Sequence, residues 1–400
     1  MTVSRSIRDS LPAPVARTAK AVRARLRGLR YSYATLPVFP PAGAAPVRML
    51  VGPTNSAGQG YAWARAARTL PGVEAVSFAL HRPVAFRFAD DYGVPQSWWS
   101  QSRWVRAQRE HVLSSYTHVL VESLRPVLGY GGHPDAAADI AVLQEAGVNV
   151  ALLFHGSDIR LPSRHAARER FSPFARKDEL TDKLEIQARK HAELVESLGV
   201  PVFVSTPDLL IDVPQAQWLP VVIDPAPWAQ AARPLFQKRH STGERPVVVH
   251  VPSSARLKGT ARIDEVLTGL HERGLIEYRR IADVPHAEMP SVIGAADIVV
   301  DQLGIGLYGV AAAEALAAGR IVVSYVGSDL RSRVRSLTGR EVPIVEADDD
   351  TLSDVVSDLV ADPGTAAAQA AAGPGFVAEL HDGRRAAEVL SQWLTVKETL

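Results

Sequence analysis

The chain predicts an α/β fold of two Rossmann-like domains that face each other across a cleft. Three observations predict it. The apolar runs Val148–Phe154, Ile298–Val300 and Ile321–Ser324 lack in-out alternation, as strands do when a parallel sheet is covered on both faces. Helical stretches separate these runs, which is the pattern of strand–helix–strand crossovers. Beyond the proline-rich Trp218–Pro227, a second strand–loop–helix series starts at Pro246–Val251 much as the first starts at Val47. At 400 residues, the chain also exceeds what one hydrophobic core usually serves.

Taken in order, residues 1–44 stand apart. Arg5, Arg8, Arg17, Lys20, Arg23, Arg25, Arg27 and Arg30 face Asp9 alone, and Val15, Val22, Leu26 and Leu29 recur at helical spacing. Such a basic amphipathic helix suits an anionic membrane surface, contacted through residues 5–30. It equally suits a solvated tail or a helix packed on its own domain. Leu36–Pro46, rich in proline and alanine, reads as a linker.

The first domain is expected over residues 45–228. Val47–Pro53 is a strand that runs into PTNSAGQG, and Tyr61–Leu70 is helical. Val73–Leu80 and His118–Glu122 are buried strands, and Trp98, Trp99 and Trp104 mark a helix with a partly exposed face. Asp135–Ala146 is a helix stopped by Gly147, and the strand Val148–Phe154 ends in HGSDIR. Asp178–Leu198 is a long charged helix with one apolar face, and Val202–Ser205 is the next strand.

The second domain is expected over residues 229–382. Its strand Pro246–Val251 leads to SSARLKGT, then a helix Arg262–Glu272 and a strand near Tyr278. Asp297–Tyr325 is a strand, a glycine-rich turn (Gly304, Gly306, Gly309), an alanine-rich helix and a second strand, with Gly319 closing the helix. Helices fill the remainder from Asp350, and residues 383–400 are expected to pack back on the first domain as a last helix.

Composition narrows the function classes. A formal net charge of +1 gives no overall argument for nucleic acid. The absence of cysteine excludes disulfides, thiol nucleophiles and cysteine-ligated metals. No apolar run approaches the roughly 20 residues that span a bilayer, and the N-terminus lacks the apolar core of a signal peptide. A cytoplasmic protein is expected, peripheral on the inner face of the plasma membrane if the basic helix docks there.

Ligands in open α/β sheets bind beyond the carboxyl ends of the strands, and the polar clusters fall there. On the second-domain side, Ser253, Ser254, Arg256 and Lys258 follow one strand, and Asp301, Gln302 and the glycine turn follow another. Arg256 and Lys258 are either cations for a diphosphate or surface charges at a helix start. Backbone N–H groups at the turn form a ready phosphate site, unless the glycines serve an ordinary crossover. Glu314, alone among alanines, is either a carboxylate for a ribose diol or an ion-paired interdomain glutamate.

On the first-domain side, Gly58-Gln59-Gly60 allows close backbone approach to a substrate. His155 either donates to a sugar hydroxyl or is satisfied by its loop, and Asp158 either binds sugar or caps a turn. His250 and His286 lie at element ends and read as structural, as does Asp348–Asp350, which opens a helix. No histidine–carboxylate pattern points to a metal.

The order and spacing of these motifs over residues 45–395 resemble a GT-B-fold glycosyltransferase, similar to glycosyltransferase family 4. The carrying motifs are AGQG (Ala57–Gly60), HGSD (His155–Asp158), STPDLL (Ser205–Leu210), WLP (Trp218–Pro220), RLKGT (Arg256–Thr260), AD (Ala296-Asp297) and YGVAAAEALAAG (Tyr308–Gly319). The resemblance implies a retaining hexosyltransferase that uses a nucleotide-diphosphate sugar as substrate, without metal or other cofactor. It places the donor at Gly58, Gln59, Arg256, Lys258, Gly306, Tyr308, Gly309 and Glu314, and catalysis at His155 and Glu314. Where the family has a glutamate touching the donor sugar, this chain has Gly306, and Asp301 or Gln302 is the candidate replacement contact. The implied acceptor is a cell-envelope, polysaccharide or lipid-linked glycan. The alternative is a catalytically silent homologue that acts as a membrane-associated partner or scaffold; an epimerase on the same fold fits the first-domain motifs less well.

Overall fold

The computed structural model describes residues 35–81, 88–130, 135–233, 235–252 and 254–395. The basic stretch 5–30 and Ser253 lie outside the described residues. Seven strands form the first sheet: β1 (Val47–Gly52), β2 (Val73–His81), β3 (Tyr92–Pro95), β4 (His118–Glu122), β5 (Asn149–Phe154), β6 (Val202–Val204) and β7 (Gln217–Trp218). Their order is β3-β2-β1-β4-β5-β6-β7, and every pairing is parallel. The second sheet, also parallel, comprises β8 (Val247–His250), β9 (Glu277–Arg280), β10 (Ile298–Val300), β11 (Ile321–Ser324) and β12 (Val345–Glu346) in the order β12-β11-β10-β8-β9. The two-sheet α/β architecture is thus the one the apolar runs predict. The short edge strands β3, β7 and β12 escape sequence reading because they are too brief to show a pattern.

Both faces of each sheet are covered, which is why the central strands are apolar throughout. In the first sheet Phe78, Ile140, Leu143 and Val195 pack on one face, and Trp63, Phe203 and Leu390 on the other. The helix Ser102–Ser115 buries Trp104 completely against Phe78 and Trp99, so this tryptophan is core and not a face toward solvent. In the second sheet Ile263, Leu267 and Val356 cover one face, and Leu316, Val334 and Phe376 the other.

Strand order reverses between β1 and β4 in the first sheet and between β8 and β10 in the second. Such reversal points leave a crevice at the carboxyl ends, where consecutive crossovers depart to opposite sides. Helix α1 (Gln59–Ala67) leaves the first crevice. Helices α2 (Ala255–Lys258), α3 (Thr260–Glu272) and α4 (Val310–Ala317) surround the second. The alanines of α4 let helix α5 (Pro363–Leu380) approach so closely that a Cβ on Gly373 would lie 2.7 Å from the Leu316 carbonyl oxygen.

The connector between the domains is held from both sides. Gln59 accepts from the Val222 N–H (2.7 Å) and donates to the Val222 carbonyl (3.1 Å), while the Trp63 indole donates to Pro220 O (2.8 Å). From the second domain His381 Nδ1 donates to Val221 O at 2.8 Å, and its own carbonyl accepts from the Ile223 N–H at 2.7 Å. Burial lowers the His381 pKa to about 4, so this ring is neutral and accepts from the Tyr308 hydroxyl at 3.2 Å. The last helix, α6 (Arg384–Ser391), seats Ala386, Ala387 and Leu390 against Trp63, Ala64 and Ala67 of α1.

Candidate active site between the two domains

A cavity of about 390 Å³ lies between the facing crevices. Its polar groups are Lys258, Asp301, Gln302, His286 and Glu314 from the second domain and Ser56 from the first, which also contributes the ring of Phe88. Each arrives there for a local reason. Lys258 ends the single-turn α2, and Gly259, left-handed at φ +72, turns the chain so that α3 can start. Asp301 follows β10, and its carboxylate forms an ion pair with Lys258 Nζ, both side chains being largely buried. A cation and a carboxylate thus share the β8–β10 crevice, ready for a ligand anion to take the place of Asp301.

Glu314 is the one carboxylate of α4, and it is 8% exposed. His286 Nε2 donates to its Oε1 at 2.7 Å. Burial raises the Glu314 pKa above the usual carboxylate range, against the pull of His286 and Lys258. The bond to Glu314 in turn raises His286 over its own burial penalty. His286 also lies 4.9 Å from Phe88 and 6.1 Å from Trp228, ring centroid to centroid, which makes an aromatic wall beside the carboxylate. Sequence reading missed His286 as a site residue. Nothing in the 28 positions that separate it from Glu314 signals that a loop after β9 returns to α4.

The glycine turn is shaped by Gln302. Its amide donates to Leu307 O and Tyr325 O and accepts from the N–H groups of Gly304 (2.9 Å) and Ile305 (2.7 Å). With both donors and both acceptor positions used, Gln302 organises the loop while it also lines the cavity. Gly306 is left-handed (φ +72), and a Cβ there would stand 3.4 Å from the Glu169 carboxyl carbon. Glu169 of the first domain therefore lies where a side chain at 306 would project, and it accepts from the Tyr325 hydroxyl at 2.6 Å. Nearby, His165 Nε2 donates to Ile305 O at 2.9 Å, and Gly304 lies against Phe171 O so closely that a Cβ would meet it at 2.5 Å. Gly309 caps α4 and lines the cavity.

Two donor-site expectations are corrected by side-chain direction. Arg256 crosses to the first domain, where its Nη2 donates to Thr181 Oγ1 at 2.7 Å and lies 3.2 Å from Asp178 Oδ1. Two residues apart on one helical turn, Arg256 and Lys258 point to roughly opposite sides, and of the two only the lysine lines the cavity. Tyr308 is 2% exposed and packs on Phe376 and His381, in the core behind the turn.

On the first-domain wall, Asn55, Ala57 and Gly58 are all left-handed, with φ of 47, 50 and 75. A Cβ on Gly58 would approach the Phe88 ring at 3.1 Å. Ala57 lines the cavity, and Gln59, whose amide is spent on Val222 as described, lines an adjoining pocket that shares Ala57, Phe88, His286 and Glu314 with it. His155 sits at the carboxyl end of β5, stacked on Trp63, and its Nε2 donates to Glu122 Oε1 at 3.1 Å. Burial opposes its charge, but the bond and charge of Glu122, with Asp158, raise its pKa on balance. His155 is not among the residues that line the cavity. The Asp158 carboxylate accepts from the N–H groups of His155 (3.0 Å) and Gly156 (2.7 Å) and from Ser123 Oγ (2.6 Å), so it closes its turn and is not a sugar contact. His250, fully buried between Val300 O and Thr260 Oγ1, is structural. Among the described residues, no group of three histidine or carboxylate side chains is placed to hold a metal ion. No described helix is long and apolar enough to cross a membrane.

No protein-family model and no curated protein matches the chain. Solved structures do. A sucrose-phosphate synthase from Thermosynechococcus elongatus aligns at 14% identity over 86% of this chain and 97% of its own, with a TM-score of 0.51. Anabaena HepE, in complex with UDP and glucose, aligns at 12% identity over 87% and 98%, with a TM-score of 0.52. An α-glucosyltransferase in complex with UDP and a 13-mer DNA aligns at 11% identity over 88% and 100%, with a TM-score of 0.53. At these identities the likeness is one of fold, and the fold of this chain is GT-B.

Proposed function

We propose that this protein transfers a hexose from a nucleotide-diphosphate sugar to a glycan or lipid-linked acceptor, with retention and without a metal. The observation that carries the reading is the shared cavity. It sets a buried cation, Lys258, and a buried carboxylate, Glu314, on two adjoining elements at a β-sheet reversal point. Lys258 would take the diphosphate charge from Asp301, and the N–H groups of the glycine turn would add donors for it. Glu314 would accept from the ribose diol after its bond to His286 opens, and Phe88 with His286 would flank the base. Lys258 and the fixed backbone dipoles would then stabilise the leaving phosphate where charge develops. The likeness to HepE and the α-glucosyltransferase, both solved with UDP, supports the donor class. An acceptor presented at a cell envelope, with residues 5–30 on an anionic membrane, completes the reading.

A thermal-shift screen of UDP-, GDP- and other nucleotide-sugars tests it, because a ligand at 100 times its Kd stabilises the native state by about 2.7 kcal/mol. At least one donor is expected to raise Tm, and Lys258→Ala is expected to reduce the shift markedly. A second reading rests on Gly306 and on Arg256 turned away from the cavity: a silent homologue that serves as a membrane-associated partner. It takes precedence if no nucleotide-sugar shifts Tm while the full-length chain still retains a partner on anionic vesicles.

A further inference from the structure

We infer that the first domain carries a second binding site, for a saccharide that bears a carboxylate or phosphate, between the loop after β4 and the helix Glu179–Leu198. Its role as an acceptor subsite rests on the transfer reading above; its ligand class rests on its own residues. The pocket measures about 510 Å³ and is separate in lining from the interdomain cavity. Trp99 and Tyr130 form its aromatic side, and Arg125, Lys183 and Lys190 its cationic side, with Asp135 as the single lining carboxylate. Among the lining residues three cations stand against one carboxylate.

The aromatic side is rigid. The Tyr130 N–H donates to Trp99 O at 2.8 Å, and Trp99 is wedged against Trp104 and Phe78. Tyr130 is 45% exposed, so it offers a ring that no other group covers fully. A ring half open to solvent, in a pocket that cations also line, suits the C–H face of a sugar with an anion at its edge. Lys190 is paired with the mostly buried Asp135 at 2.5 Å, and Lys183 with the exposed Glu179, a partner that a ligand anion can displace at little cost.

The pocket is also tied to the cleft. Ser123 and Leu124, neither of them glycine, are both left-handed (φ 56 and 49) where they form the pocket floor. Strain of this kind persists only where the surroundings impose it, here through Ser123 Oγ on Asp158 and His191 Nδ1 on Asp158 O. Asp158 is the residue that shapes the His155 turn, and the Arg125 charge acts on His155 itself. The helix N-cap, Asp178, meets Arg256 of the second domain. At 1.5 Å rise per residue, Lys183 and Lys190 stand roughly 8 and 18 Å along the helix from that cap. A saccharide held here would reach the cleft by lying along the helix.

Titration calorimetry of the full-length protein tests the site with three probes: a galacturonate trisaccharide, glucose 6-phosphate and neutral maltotriose. At least one acidic probe is expected to bind at least tenfold tighter than maltotriose, weakening as salt rises. Lys183→Ala/Lys190→Ala should erase that preference, and Tyr130→Ala should weaken the acidic probe and maltotriose together. The two acidic probes separate carboxylate from phosphate recognition. Equal affinity for acidic and neutral probes, no binding by any probe, or an unchanged preference in the double lysine variant overturns the inference. Nucleotide-sugar thermal shifts in the same variants should equal wild type. If those shifts are absent in wild type while acidic binding holds, the transfer reading fails and the site stands.

Discussion

Two Glu–His pairs face each other across this molecule, and they are built for different work. Glu122 is fully buried at the end of β4 and serves three donors: His155 Nε2 and the N–H groups of Thr54 (2.8 Å) and Asn55 (2.7 Å). It fixes the left-handed loop that carries Ala57 to the cavity. Glu314 has His286 as its hydrogen-bond partner and lines the cavity directly. A carboxylate saturated by backbone donors positions a loop; one held by a single mobile side chain is available to a ligand. The chemistry of the pair is the same, and what differs is how many other groups depend on it.

The comparison breaks if removing Glu122 is harmless. Glu122→Ala strands two buried N–H groups and the His155 ring, and should cost about 3 kcal/mol of stability, read from urea denaturation. Lys258→Ala should act on affinity instead, by roughly 10- to 100-fold for a nucleotide-diphosphate, the range of one to two charge-assisted hydrogen bonds. Glu314→Gln should leave stability within about 1 kcal/mol, because only His286 loses a charged partner there. The same variant should lose about tenfold of the preference for a ribonucleotide over its 2′-deoxy analogue in competition titration.

The smallest effect is a matter of pH. His286 and His155 both have folded pKa values raised above the ordinary 6.5, and Glu314 is raised as well. Groups raised in the folded state contribute stability that is present below the unfolded pKa and lost as pH rises through the folded one. The share of stability these groups carry should therefore decline as pH rises above 6.5. His286→Gln should flatten that decline, and a bound nucleotide-sugar should flatten it equally, leaving the His155 share in both cases. His111, His165, His191, His250 and His381 act in the opposite sense, because all are held below their ordinary value by burial and must charge on unfolding as pH falls through 6.5.

The two-sheet fold was legible because burial on both faces writes itself into unbroken apolar runs such as HVLVE and NVALLF. The crevices were legible for the same reason, since a polar cluster must follow where such a run ends. Side-chain direction was not. Arg256 and Lys258 are two residues apart on one turn, yet one reaches the first domain and the other the cavity. Tyr308 and Gly309 are adjacent, yet one is core and the other lines the site. Asp158 and Gln302 sit at strand ends, but spend their polar atoms on the turns that hold them there. Sequence reports that a polar atom lies near a site; only the hydrogen-bond count reports whether it is free to act.

The contrast between the two walls rests on a nucleotide-diphosphate sugar occupying the Lys258–Glu314 cavity. Calorimetric titration of wild type and Lys258→Ala with the nucleotide-sugar that gives the largest thermal shift measures this most directly. One-to-one binding to wild type, weakened at least tenfold in Lys258→Ala, is the expected result. Binding that is absent in wild type, or of equal strength in the variant, would contradict it.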